Sequence, residues 1–133
     1  MALDYGSARC GCALSDPTGA LATPIDPVLR PATRRGIGRL AELVREREVQ
    51  RVVVGLPLGL SGADTAQTEE ARAFAARLAE RLGPAVPVEL YDERLTTVQA
   101  LRDPAGAASL DSRAAAHLLE AWLAARPDPA DLA

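Results

Sequence analysis

The sequence predicts an α/β domain: a mixed five-stranded sheet, three strands antiparallel and two parallel, with helices on both faces. Three observations predict it. Residues up to about 29 read as short extended segments separated by turn residues, which suits an antiparallel meander. Beyond them strand-like and helical periodicities alternate, the pattern of parallel strands joined by crossovers. Within that second part Val52-Val53-Val54 is an unbroken β-branched run, the mark of a strand covered on both faces and therefore central.

Taken in order, Met1–Asp4 reads as the end of a strand closed by the turn Tyr5-Gly6-Ser7. Arg9–Ser15 is a second strand with Cys10, Cys12 and Leu14 on one face. Asp16-Pro17-Thr18-Gly19 is a strong turn signal, and Ala20–Leu29 continues extended through two prolines. Thr33 is placed to cap a helix running to about Glu48, whose apolar positions Ile37, Leu40, Ala41 and Val44 fall at helical spacing. The strand Arg51–Leu56 leads into a glycine-rich loop, Gly55–Gly62. Asp64 and Gln67 form a capping pair for a helix with Ala71, Phe74, Ala75, Leu78 and Leu82 on one stripe, stopped at Gly83-Pro84. Val86–Asp92 is a further strand. Thr96 with Gln99 caps a short helix, 105–109 is a small-residue linker, and a last helix runs from about Asp111 to Ala125. The order β-β-β-α-β-α-β-α-α contains no internal repeat. A single domain is expected over residues 1–126, with a frayed tail at 127–133.

The bulk properties narrow the function. At 133 residues one domain is expected. The net charge of −3 provides no global basic field, so phosphate would have to be held by a local patch or by metal ions. All 15 basic residues are arginine, whose planar fork suits phosphate oxygens. Aromatics are 3% of the chain, which argues against a stacking platform for single strands. No apolar run reaches the ~18 residues of a membrane span and nothing reads as a signal peptide, so a cytoplasmic location is expected. Cys10 and Cys12 read as small buried hydrophobes rather than a metal pair.

Ligands of open α/β sheets bind beyond the carboxyl ends of the parallel strands. That rule selects Asp4, the loop Gly55–Gly62, and Asp92-Glu93. In the last helix Asp111, Ala115, Leu118 and Trp122 share the stripe that faces the sheet, so Asp111 is aimed at the protein. Asp4, Glu93 and Asp111 can therefore converge. Converging carboxylates raise one another's pKa unless a cation neutralises them, and oxygen-only ligands suit Mg²⁺ or Mn²⁺. Two such ions provide a route to phosphodiester hydrolysis with neither a His base nor a Ser nucleophile. Simpler readings stand beside this one: Asp4-Tyr5-Gly6 as a turn, Asp111 as a helix N-cap, and Asp92-Glu93-Arg94 as a solvated cluster, with strand parity leaving Asp92 and Glu93 undecided. Gly55 and Gly62 are candidates to present backbone N–H groups to a phosphate, although the loop lacks the lysine of a P-loop. Arg9 and Arg94 are the nearest candidate phosphate contacts, and His117 is expected to be exposed, on the far side of the helix from Asp111.

These residues resemble the motifs of a known family. Leu3-Asp4-Tyr5-Gly6, with Arg9, Gly11, Ala13 and Ser15-Asp16, is similar to the opening motif of the YqgF family. Val54-Gly55-Leu56-Pro57 with Gly62, then Asp92-Glu93-Arg94-Leu95-Thr96-Thr97, then Leu110-Asp111-Ser112 with Ala114-Ala115 and Leu118-Leu119, resemble the motifs that follow. The likeness covers nearly the whole chain. It implies an RNase H-like fold and a cytoplasmic nuclease that matures the 5′ end of 16S ribosomal RNA. Cleavage of Holliday junctions, or a non-catalytic nucleic-acid-binding role in assembly, are the alternatives. It implies structured RNA or branched DNA as partner, Mg²⁺ or Mn²⁺ as cofactor, and Asp4, Glu93 and Asp111 as the acidic set. The protein would be a monomer or a homodimer, the dimer suiting symmetric cleavage of a junction. Asp4-x-Gly6 also opens sugar-kinase-like ATP-binding folds, but the chain is too short for their second lobe. Family members carry several more apolar residues before this motif. Here only Met1 and Ala2 precede Leu3, which implies a short first strand and a weaker domain, or a start upstream.

Overall fold

A computed structural model of the chain describes residues 1–16, 18, 21–56, 65–92 and 110–125, by backbone alone at 110 and 111. Among these residues the elements follow as β1 (Ala2–Asp4), β2 (Arg9–Ser15), β3 (Ala22–Leu29), α1 (Arg34–Glu46), β4 (Val52–Leu56), α2 (Ala66–Leu82), β5 (Val88–Asp92) and α3 (Leu110–Ala125). The strands form one sheet in the order β3-β2-β1-β4-β5. β2 runs antiparallel to both β1 and β3, while β4 runs parallel to both β1 and β5. This is the mixed sheet the sequence predicts, with the valine run of β4 lying between two strands. The short helix expected from Thr96, the linker 105–109 and the tail 127–133 lie outside the described residues.

Strand alternation sorts the side chains into two cores. Leu3, Cys10, Cys12, Val52 and Val54 join Ile37, Leu40 and Val44 of α1 and Phe74 and Leu78 of α2 on one face. Ala2 and Ala13 meet Ala115, Ala116, Leu118 and Leu119 of α3 on the other. Each buried leucine contributes roughly 2 kcal/mol of transfer free energy. Beneath α3 the central strands β1 and β2 present small side chains, Ala2 and Ala13, with Tyr91 of β5 at the border of the cluster. β3 is an edge strand, which is why Pro24 and Pro27 are tolerated. A bulge sets Asp26 and Pro27 against the single residue Gly11, between the pairs Cys10–Val28 and Cys12–Ile25.

The helix ends follow their local chemistry. The Thr33 hydroxyl accepts from the Gly36 amide at 3.1 Å and donates to the Arg30 carbonyl at 2.7 Å, as a capping residue should. The helix stops at Glu46, two residues short of expectation, and Glu48 turns the chain with φ of 53°. The cap of α2 differs from the expected Asp64–Gln67 pair. Thr65 and Thr68 form the box: the Thr65 hydroxyl accepts from the Thr68 amide at 3.2 Å, and the Thr68 hydroxyl accepts from the Thr65 amide at 3.0 Å. Thr68 is fully buried, in step with Ala71, Ala75 and Leu78, so packing selects this box; Asp64 lies outside the described residues. α2 ends at Gly83, whose φ of +80° a side chain would strain. β5 begins at Val88 rather than Val86, because residues 84–86 form a turn in which the Val86 amide donates to Gly83. The three-residue β1 is short, as expected. The Met1 amine donates to the Arg51 carbonyl at 3.0 Å, and burial lowers its pKa to about 6.

Gly36 marks a tight approach between α1 and the chain that leads into it. A Cβ there would lie 2.2 Å from the Arg30 carbonyl oxygen and 2.6 Å from the Pro31 Cα, both of them backbone. At Gly38, two residues along the same helix, a Cβ meets nothing within 4 Å. Gly36→Ala is therefore expected to cost about 2 kcal/mol or more in chemical denaturation. Gly38→Ala is expected to stabilise by up to about 1 kcal/mol. A neutral Gly36→Ala would contradict this packing.

Candidate active site

Asp4 is the last residue of β1, at the carboxyl edge of the sheet, and is half-buried. By alternation with Ala2 it faces the α3 side. In the antiparallel direction its partner is Gly11. In the parallel direction the register pairs Ala2 with Val53 and Leu3 with Val54, so Asp4 comes level with Gly55. Both glycines are buried, and beyond Gly55 stands Tyr91, which packs with the α3 cluster. The carboxylate thus has a position without a side chain on either side of it.

Local structure holds Asp4 in place. On the opposite face Tyr5 stacks on Phe74 with ring centroids 4.7 Å apart. Burial, aided by Glu70 and Cys10 and opposed by Arg77, raises the Tyr5 phenol pKa and keeps it neutral. Gly6 closes the turn, since a Cβ there would sit 2.7 Å from the Arg9 carbonyl oxygen. Arg9 emerges at the same edge, exposed, on the face that Gly11 shares with Asp4.

The first turn of α3 is stitched to this region by Ser112, which is fully buried. Its hydroxyl donates to the Ile25 carbonyl at 2.6 Å and accepts from the Cys12 amide at 3.3 Å. These are the flanking residues of the β2–β3 bulge, so a side chain from the helix supplies hydrogen bonds where the ladder is interrupted. Asp111 precedes Ser112 as the second residue of α3, within the first turn rather than at an N-cap. The other end of the helix is anchored by Trp122, whose indole donates to Glu89 of β5. Glu89 also pairs with Arg51 at 2.7 Å, and the Arg51 guanidinium lies 5.9 Å from the Trp122 ring centre.

The register also bears on the paired acids after β5. Glu89 and Tyr91 lie on the α3 face, so Asp92, paired with Leu56, points to the opposite face from Asp4. Glu93, Arg94 and Gly62 lie outside the described residues, as does the side chain of Asp111. Among the described residues no cluster of three His, Cys, Asp or Glu is gathered. Gly55 is not a loop residue with a free amide: it lies buried within β4, paired with Tyr91. His117 is not exposed either. Only 14% of its side chain is accessible, and its Nδ1 lies 3.6 Å from Glu120. Neither Cys10 nor Cys12 is in a disulfide; both are buried in the core away from Asp4, and the hydrogen bond with Cys10 draws the Cys12 thiol below its ordinary pKa. Tyr91 was not singled out by sequence, and Gly11 and Ser112 entered only as members of the family motifs, with no role of their own. The available signal for Ser112 was its helical spacing with Ala115, Ala116 and Leu119, which puts a hydroxyl on the buried stripe.

Comparison with known proteins agrees with this architecture. The profile of the family described as "RuvX: Holliday junction resolvase" matches residues 1–125. The chain belongs to this family. A relative from Mycobacterium leprae (strain Br4923), named "Putative pre-16S rRNA nuclease", is 45% identical over 98% of this chain and 77% of its own length. One of the same name from Thermobifida fusca (strain YX) is 52% identical over 75% of this chain and 61% of its own. Another, from Koribacter versatilis (strain Ellin345), is 45% identical over 77% of this chain. The chain thus spans somewhat under two thirds of the Koribacter and Thermobifida proteins, 65% and 61%, and 77% of the Mycobacterium one. Among solved structures, T. thermophilus RuvC in complex with a Holliday junction substrate superposes with a TM-score of 0.54 over 92% of this chain and 91% of that one, at 17% identity. That likeness establishes the RNase H-like fold. The family is described as a resolvase and these relatives are named as nucleases.

Ser112→Ala leaves a buried amide and a buried carbonyl without their shared hydroxyl. The expected loss is about 2 kcal/mol of stability, with faster hydrogen exchange at the Cys12 amide. Unchanged exchange there would contradict the role assigned to the hydroxyl.

Proposed function

We propose that this chain is a metal-dependent nuclease that processes the 5′ end of pre-16S ribosomal RNA in the cytoplasm. The observation that carries the reading is the setting of Asp4: a carboxylate at the carboxyl edge of a central strand, between Gly11 and Gly55, on the face to which Ser112 ties the first turn of α3. A carboxylate flanked in the sheet by two residues without side chains supplies oxygen ligands of the kind a divalent ion takes. Asp4, Glu93 and Asp111 are the residues that would hold Mg²⁺ or Mn²⁺, two ions in the full site. Bound there, the ions would supply an activated water and neutralise the departing oxygen. The contribution of the chain is placement. The ladders on both sides of β1 fix Asp4, and the opposite facing of Asp92 favours Glu93 as its partner. Arg9, exposed at the same edge, contacts substrate phosphate, and Arg94 is its proposed companion. The names of the relatives favour ribosomal RNA as substrate.

A second reading, cleavage of four-way DNA junctions by a homodimer, is favoured by the description of the family. One assay compares the two. With Mg²⁺ or Mn²⁺, wild type is expected to trim an RNA spanning the 5′ end of 16S and to leave a four-way DNA junction intact. Asp4→Asn is expected to lower that cleavage at least about a hundredfold while melting as wild type does. Cleavage that persists in EDTA would overturn the metal mechanism. Cleavage of the junction alone would shift the conclusion to the second reading.

A further inference from the structure

A groove of about 560 Å³ runs between β3 and α1, on the face of the sheet opposite to α3. One wall is residues 25–29 of the edge strand; the other carries Arg35, Arg39, Leu43 and Arg47. These four positions recur every fourth residue, so they form one stripe. At 1.5 Å per residue the arginines cover roughly 18 Å, with a first step of roughly 6 Å. Residues 30–48 hold six arginines against three glutamates, in a chain whose net charge is −3. Positive charge is therefore concentrated on this segment. Arg39 is shared with Glu42 at 3.6 Å and Glu46 at 3.9 Å, both exposed pairs that contribute little. Among the described residues Arg35 and Arg47 form no ion pair.

The groove begins where the proposed site ends. Arg9 pairs with Leu29, two residues along β2 from the pair of Gly11 with Asp4, so the Leu29 end of the groove lies at the same sheet edge as the carboxylate. A strand leaving Asp4 past Arg9 would cross the sheet edge at Leu29 and Arg30, then descend along Arg35, Arg39 and Arg47. The occupant is not an added β-strand, because Pro24 and Pro27 deprive the edge of N–H donors. Forked cations along one stripe instead match a phosphate backbone.

We propose that the groove between β3 and α1 docks the RNA strand running away from the cut, with its phosphates on Arg35, Arg39 and Arg47. This rests on the ribosomal RNA reading above. Asp26, exposed on β3, is the acid of the groove and opposes the phosphates. Arg45 is a built-in control: it lies on the same helix but lines a different groove, beside Val49 and Leu82.

The test is anisotropy of a fluorescent RNA spanning the 5′ end of 16S, in EDTA to prevent cleavage, over a series of salt concentrations. Arg35→Gln and Arg47→Gln are each expected to weaken binding about fivefold and to reduce the slope of log K against log salt by about 0.7. Asp26→Asn is expected to tighten binding, and Arg45→Gln to change it less than about twofold. If wild type binds the RNA but is indifferent to Arg35 and Arg47, or if Arg45→Gln costs as much as they do, the groove proposal falls and the nuclease reading stands. If wild type does not bind the RNA and cuts only four-way DNA, both the RNA reading and this occupant fall.

Discussion

The fold is organised around β1, three residues paired on both edges. Its antiparallel ladder to β2 and its parallel ladder to β4 join the meander to the crossover half of the domain. The same pairing decides which way each side chain points. Leu3 enters the core beneath α1 and α2, while Ala2 and Asp4 turn toward α3. A strand this short has little redundancy. A shift of one residue that brought Asp4 to the place of Leu3 would put a carboxylate into an apolar core and turn Leu3 toward α3.

The second constraint is the docking of α3. Its apolar contacts are mostly alanine and leucine, which fix distance but leave the helix free to slide. Hydrogen bonds fix the register: Ser112 at the β2–β3 bulge near one end, and Trp122 with Glu89 at the other. Between them the helix cannot advance or rotate by a residue without leaving buried polar groups unpaired. The bulge is therefore a socket for the helix, and its place beside Gly11 brings the first turn of α3 to the neighbourhood of Asp4.

Much of this fold is legible in the sequence where the signal is local. The valine run announces a central strand, the stripe from Ala71 to Leu82 announces α2, and Thr33 and Gly83 mark helix ends by their own backbone chemistry. The failures share a cause. Asp64–Gln67 and Thr65–Thr68 both fit a capping pattern, and the burial of Thr68, a tertiary fact, selects between them. Gly55 reads as the start of a loop until the pairing of β4 with β5 absorbs it. Whether Asp92 shares a face with Asp4 depends on where strands distant in sequence align. Ser112 is silent for the same reason, since its partners lie 87 and 100 residues away. Of the candidate site, the position of Asp4 is legible in sequence, but the register that sets Gly11 and Gly55 beside it is not.

Charge is distributed to match that chemistry. The chain is acidic overall, its proposed site is built from carboxylates, and its arginines gather on the segment around α1. A nuclease of this design would hold cations at the cut and phosphates beside it. The most direct test of the central claim is a crystal of the chain soaked in Mn²⁺ and measured for anomalous scattering. Two manganese peaks roughly 3.5–4 Å apart, ligated by Asp4 together with Glu93 and Asp111, are the predicted result. Manganese absent from Asp4, or an Asp111 carboxylate turned away to bulk solvent, would contradict it.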